Sequence, residues 1–259
     1  MRIIDAHAHF IDEPRYLERL LEAMDDCGIE RCCLSGIGRV FGCKNDYDVR
    51  EALRLHPDRI VGAAFVRPGV DDAGKVDWAF GEGFRMLKVS VPRSGYEDPA
   101  HFPIWRRAVE HGMPVLFHTG VVTTPAEAPG ELVSSWNMHP MRIEPITREF
   151  PDLKIIVAHL GIHWNVDAAE LARMRPNVYV DLTGEPGGWR ARADAAGMDK
   201  WLWWPGAFGK VVFGTDVHYS KIRLILEQDA ARARRFGLDC ETQERMFAGN
   251  MLRLLGEEV

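Results

Sequence analysis

The sequence predicts an α/β fold, a single (β/α)8 TIM barrel of eight parallel strands each followed by a helix. Three observations point there. Eight short, nearly continuous apolar runs alternate with helix-length amphipathic segments, and such runs belong to parallel strands buried on both faces. A chain of 259 residues with 46% hydrophobic residues can bury one large core, and α/β barrels commonly reach this size as one domain. No Gly-rich phosphate loop follows the first strand, which removes the open, dinucleotide-binding sheet. With no linker and no low-complexity segment, residues 1–259 are read as one domain.

The strands are placed in order at Arg2–Asp5, Arg31–Ser35, Ile60–Phe65, Met86–Ser90, Val115–His118, Lys154–Ala158, Val178–Leu182 and Lys210–Gly214. Helical segments between them include Tyr16–Asp26, Tyr47–His56, Pro103–His111 and Arg142–Phe150. In the first of these, Leu17, Leu20, Leu21 and Met24 recur at the i, i+3, i+4, i+7 spacing of a buried helical stripe.

Composition excludes several classes. The formal net charge is -6 and no run of Lys or Arg stands out, which argues against a nucleic-acid partner. No apolar stretch approaches the roughly 20 residues needed to span a bilayer. The first strand begins at the N-terminus with no signal peptide ahead of it. The five cysteines form no Cys-x-x-Cys pair and are odd in number, as expected of reduced thiols in a cytoplasmic protein. Adjacent Cys32 and Cys33 lie in an apolar run and read as core filling.

In a barrel, chemistry gathers at the C-terminal ends of the strands. His7 and His9, in Asp5-Ala6-His7-Ala8-His9, project from one face of the first strand because side chains alternate. Lys88 lies on the fourth strand, His118 ends the fifth, His159 the sixth and Asp216 the eighth. One strand-end histidine is usually a hydrogen-bonded structural residue. Four histidines and an aspartate at the same end instead make up a ligand set for zinc and similar divalent ions, with a position left open for water.

These residues resemble the amidohydrolase superfamily, in particular its amidohydrolase-related branch. The matching elements are the strand-one His-x-His, the histidine after strand five, Phe150–Gly161 (Phe-Pro-Asp-Leu-Lys-Ile-Ile-Val-Ala-His-Leu-Gly), Phe213–Asp216 (Phe-Gly-Thr-Asp) and Asn250–Leu255. The resemblance covers essentially the whole chain. Residue by residue, it implies that His7, His9, His118 and Asp216 hold one divalent metal, Zn2+ first and Mn2+ second, with one ion favoured over two. His159 would act as acid or base, or ligate a second ion. Asp216 would also serve as a catalytic proton acceptor. The barrel deoxyribonucleases that share His-x-His are disfavoured because their strand-four acidic ligand is absent, Lys88 being the notable residue there.

Lys88 is open to three readings: a carbamate bridging two ions, the cation that anchors an anionic substrate, or a structural ion pair. Arg67 and Arg93 add positive charge to the same rim and suit a carboxylated substrate, solvated loop charge being the alternative. Thr119–Met138 reads as a long connection that, with Trp136, His139 and Arg142 at its exit, forms a substrate wall or lid. His218 either points into the site or faces solvent, and His56, His101, His111 and His163 are read as surface residues.

The expected activity is hydrolysis of an amide, lactone or ester bond of a small, carboxylated substrate by a metal-activated water. The alternative within the same branch is non-oxidative decarboxylation or hydration. A silent barrel serving as an interaction protein is disfavoured, since the ligand set would then have no purpose. A small molecule is the expected partner, and a homodimer is compatible with the sequence.

Overall fold

The computed structural model describes residues 1–122 and 133–258. Eight parallel strands run in sequence order: β1 (Ile4–His9), β2 (Arg31–Ser35), β3 (Ile60–Val66), β4 (Met86–Val89), β5 (Val115–Phe117), β6 (Ile155–Val157), β7 (Val178–Asp181) and β8 (Val211–Val212). The helices between them are α1 (Tyr16–Cys27), α2 (Asp46–Leu55), α3 (Ala73–Gly81), α4 (Phe102–Glu110), α5 (Glu144–Glu149), α6 (Asn165–Met174) and α7 (Trp189–Ala196). After β8 come α8 (Ile222–Arg235), α9 (Cys240–Glu244) and α10 (Asn250–Leu255). All eight expected strands are present, and the architecture is the expected (β/α)8 barrel.

Local sequence explains where the elements stop. Gly28 closes α1 at φ +66°, a left-handed conformation cheap only for glycine, and its N–H reaches back to the last turn. Asn45 and Asp48 form a reciprocal capping box that starts α2. The alternation along each strand divides two cores. Ile4, Cys33, Ala63, Met86, Leu116 and Ile156 fill the lumen, and Met251 and Leu252 of α10 plug its lower end. Outward residues such as Cys32, Leu34, Leu87, Phe117 and Val180 pack beneath the helices. Cys32 and Cys33 are therefore both core residues, one on each side of the sheet.

The ring is completed between β1 and the chain after β8. Ala6 N–H donates to Phe213 O at 2.9 Å, and Asp216 N–H donates to His7 O at 2.7 Å. Buried Asp5 reinforces this seam. Its carboxylate accepts from His7 N (3.0 Å), Thr215 N (3.0 Å) and Thr215 Oγ1 (2.6 Å). Burial pushes the Asp5 carboxyl up to about 7.

One expectation is corrected here. His101 is not on the surface: it is 3% exposed, with Nε2 2.9 Å from Ser94 Oγ. It packs at the start of α4, where a polar strand-to-helix connection hid its burial. His163 is exposed, and His56 and His111 are half-buried. Among the described residues no helix is long and apolar enough to cross a membrane.

Candidate metal centre

The strand-end residues converge because they share the lumen-facing register. Lys88 stands two residues above Met86, His118 two above Leu116 and Asp181 two above Tyr179, each continuing the inward row of its strand. β1 extends through His7 and His9, beyond the expected end at Asp5. An irregularity between Asp5 and Ala8 inserts one residue against β2, a bulge of the kind that re-aims side chains next to active sites. The two imidazole centroids lie 5.1 Å apart.

His7 Nε2 and His9 Nε2 lie 3.6 and 3.1 Å from Asp216 Oδ1. One donor atom from each of these residues falls within 4.8 Å of the others. A tetrahedral ion bound at about 2.1 Å separates its donors by roughly 3.4 Å, so this trio fits a divalent cation. His118, expected as a fourth ligand, is not part of this trio; it is half-buried on the same cleft, and its buried Nε2 has no partner, as is true of His9 Nδ1. A buried, unpartnered imidazole nitrogen is costly unless something occupies it. The donor chemistry therefore fits the group that the resemblance implies. In this structure His7 Nε2 accepts from Lys88 Nζ at 2.6 Å, so binding an ion there requires Lys88 to give up that contact.

Electrostatics keep the imidazoles of His7, His118 and His159 neutral and Asp216 ionised. Burial, followed by the Lys88 charge, lowers His7 to about 4. Burial and the neighbouring His159 hold His118 well below its usual range. Burial also lowers His159. Although burial pushes Asp216 up, His7 and His9 hold its carboxyl well below the carboxylate range. Burial lowers Lys88 to about 8. Neutral imidazoles and a carboxylate are what a divalent ion needs.

Asp216 (φ +50°) and His159 (φ +59°) both occupy the left-handed region, which costs an L-residue roughly 1 kcal/mol. Gly214 explains part of the Phe-Gly-Thr-Asp sequence: a Cβ there would lie 2.8 Å from Thr183 Cγ2 and 3.0 Å from His7 Cβ.

A cleft of about 660 Å³ opens above the centre, with His9, Lys88, His118 and Asp216 on its floor. Phe41, Phe65, Val122 and Val217 contribute apolar wall. Lys88 is the sole Lys or Arg among its described lining residues. Arg67 Nε donates to Val91 O, and Arg93 is exposed; neither is among the residues lining the cleft. His218 lines the mouth, with Nε2 3.1 Å from Glu13 Oε2. Trp136 is 56% exposed, its ring tilted against that of His139 with centroids 4.8 Å apart, and is not among the described lining residues. Of the long connection Thr119–Met138, residues 123–132 lie outside the described residues, while Val121 and Val122 line the cleft.

His159 is brought to the centre but buried behind it: Nε2 lies 3.2 Å from His118 Nδ1, and Nδ1 lies 2.8 Å from Thr183 Oγ1. Sequence reasoning missed Asp181 and Thr183. Asp181 Oδ2 accepts from His7 Nδ1 at 2.9 Å. Its signal was available, since Val-Tyr-Val-Asp ends β7 in the same inward row as Lys88 and His118.

A sequence profile of the family described as Amidohydrolase matches residues 40–256. No curated protein sequence matches the chain. Among solved structures, an uncharacterized TIM-barrel protein from Bordetella bronchiseptica is similar at TM-score 0.72 and 18% identity, covering 99% of both chains. A probable 2-pyrone-4,6-dicarboxylic acid hydrolase from Acinetobacter baumannii, with citric acid bound, matches at TM-score 0.67 and 15% identity, covering 99% of this chain and 100% of that one. A 5-carboxyvanillate decarboxylase from Novosphingobium aromaticivorans, complexed with manganese and a nitrobenzoic acid, matches at TM-score 0.67 and 15% identity, covering 98% and 96%. At these identities the likeness concerns the fold.

Proposed function

The chain belongs to the amidohydrolase family, and from that premise we propose that it is a metal-dependent hydrolase acting on an amide, lactone or ester bond of a small carboxylated substrate. One observation carries the reading: His7, His9 and Asp216 bring one donor atom each within 4.8 Å of one another, and His9 and Asp216 line the same cleft as His118, whose Nε2 has no partner. These four residues would hold the ion, zinc or manganese. When bound, such an ion supplies Lewis acidity and makes a water available as nucleophile at neutral pH. Asp216, ionised and facing the cleft, takes the proton of the attacking water and passes it to the leaving group. Lys88 meets the substrate carboxylate once released from His7, and Arg67 and Arg93, outside the lining, act only through their long-range field. Both nitrogens of His159 are engaged, which suits a holding role better than proton transfer.

The second reading is a decarboxylase or hydratase of the same family, favoured by the apolar walls that would leave a substrate carboxylate poorly hydrated beside Lys88. Water distinguishes the two. In oxygen-18 water a hydrolase cleaves its substrate and incorporates the label into a product carboxylate, a hydratase adds it as a hydroxyl to an uncleaved product, and a decarboxylase releases carbon dioxide with no label in the organic product. Metal analysis of the purified chain before and after chelation, together with a screen of lactones, amides and carboxylic acids, comes first. Full activity in chelated protein with no bound metal would overturn the metal-dependent reading.

A further inference from the structure

The imidazoles at the centre are not independent, and their hydrogen bonds lead back to the end of β7. A neutral imidazole donates from one nitrogen and accepts at the other, so each partner with a fixed role fixes the ring. Asp181 is fully buried, and its carboxylate only accepts. Its Oδ1 accepts from three donors: His159 N (2.7 Å), Thr183 N (3.1 Å) and Thr183 Oγ1 (2.6 Å). Its Oδ2 faces His7 Nδ1 at 2.9 Å. His7 therefore carries its proton on Nδ1 and leaves the Nε2 lone pair toward the cleft, consistent with the donor Lys88 Nζ lying 2.6 Å from it.

The second branch passes through Thr183. Its hydroxyl proton is committed to Asp181, so Oγ1 can only accept from His159 Nδ1 at 2.8 Å. The Thr183 carbonyl, 3.4 Å from the same nitrogen, can likewise only accept. His159 thus carries its proton on Nδ1 and presents a lone pair at Nε2. His118 Nδ1 lies 3.2 Å from that lone pair and must be the donor. What remains is the lone pair of His118 Nε2, the nitrogen left without a partner.

We infer that Asp181 and Thr183 are positioning residues that set the tautomers of His7, His159 and His118, so that His7 Nε2 and His118 Nε2 offer lone pairs at the cleft floor. The consequence for an ion rests on the metal-centre reading above; the tautomers themselves do not. Partners of this kind orient ligand imidazoles, and losing one weakens metal affinity by about 10- to 100-fold.

Two isosteric substitutions separate the branches. In Asp181→Asn, the amides of His159 and Thr183 and the Thr183 hydroxyl still require an oxygen at the Oδ1 position. The amide NH2 must then face His7 Nδ1, which becomes an acceptor; His7 switches to the Nε2–H form, and the Lys88 ammonium, a donor 2.6 Å from Nε2, gives up that contact. The Thr183 branch stays as it was. In Thr183→Val, His159 loses its nearest acceptor, and the fixed Nδ1–H form gives way to a mixture at His159 and His118; His7 loses a longer contact, Thr183 Oγ1 at 3.3 Å from Nδ1, but keeps its Nδ1–H form through Asp181 Oδ2 at 2.9 Å. Thr183→Ser keeps the hydroxyl and restores the wild-type state.

The test is long-range 15N–1H correlation spectroscopy of the imidazoles in the full chain, stripped of metal by chelation, followed by titration with Zn2+ and with Mn2+. The expected result is Nδ1–H at all three histidines in the wild type, a switch confined to His7 in Asp181→Asn, and a change confined to His159 and His118 in Thr183→Val. Affinity for the ion should fall about 10- to 100-fold in Asp181→Asn and recover to the wild-type value in Thr183→Ser. An Nε2–H form at any of the three in the wild type, or unchanged spectra in both isosteres, overturns the inference. Expected tautomers in a wild type that binds neither ion would uphold the inference and overturn the metal-centre reading instead.

Discussion

Replacing Asp5 by alanine should weaken the barrel at its seam, and the size of the effect follows from the contacts. The Asp5 carboxylate is the acceptor for His7 N, Thr215 N and Thr215 Oγ1, all buried. Alanine leaves those donors without a partner, and each unsatisfied buried donor costs about 1–3 kcal/mol. The Thr215 hydroxyl can rotate to another acceptor, so the net loss should be ~3–5 kcal/mol. For a chain of this size each kcal/mol shifts Tm by about 2–4 °C, which puts the loss at roughly 10 °C. Asparagine is the control. Its oxygen serves the two backbone donors, its NH2 meets a Thr215 hydroxyl that can turn to accept, and no carboxylate is buried. Asp5→Asn should therefore stay within about 1 kcal/mol of the wild type. Guanidinium denaturation followed by tryptophan fluorescence reads both, with an unchanged slope showing that only stability moved. Asparagine as damaging as alanine, or alanine within 1 kcal/mol of the wild type, would refute the argument.

Gly214→Ala should lower metal affinity with little loss of helix content by circular dichroism, because the new methyl would press on Thr183 and His7 at 2.8 and 3.0 Å. Asp229→Ala should cost about 3–5 kcal/mol in chemical denaturation, since buried Arg190 and Arg232 both donate to that carboxylate. The Asp194 carboxyl is pushed up by burial but held below its ordinary value by Arg232 and Arg235. A depressed folded value gives stability that is present above the unfolded pKa of about 4 and lost as pH falls through the folded value. Melting curves from pH 6 to pH 3 should therefore fall more steeply for the wild type than for Asp194→Asn. Lys88→Met should raise KM for anionic substrates more than for neutral analogues, with kcat falling too where the contact strengthens in the transition state; equal turnover of both by the wild type would show the charge to be a bystander.

The barrel was legible because parallel strands write themselves as apolar runs, and all eight were found. Strand ends were less legible. The bulge that carries β1 on to His9 depends on pairing with β2, which a single strand does not display. At the site, histidines and Asp216 stood out because they follow apolar runs, yet Asp181 was passed over although it ends β7 in the same way. An aspartate there reads as a turn residue until its partner is known, and His7 lies 174 residues away. The buried Arg190–Asp229–Arg232 cluster escaped for the same reason, since charged residues on helices are ordinarily solvated and only tertiary packing removed the water.

The seam also has a temporal meaning. Asp5 and Thr215 are separated by 210 positions, so their contact closes one of the longest loops available to this chain. Loop-closure entropy must be met before such a contact contributes anything, and topologies rich in distant pairings fold slowly. Strands β1 to β7 can assemble neighbour by neighbour, but His7 and His9 meet Asp216 only when the ring shuts. The floor of the cleft is therefore among the last parts of the molecule to come into being. A chain stalled before that step presents two histidines without their carboxylate, and the site proposed for the ion stays incomplete until the final closure.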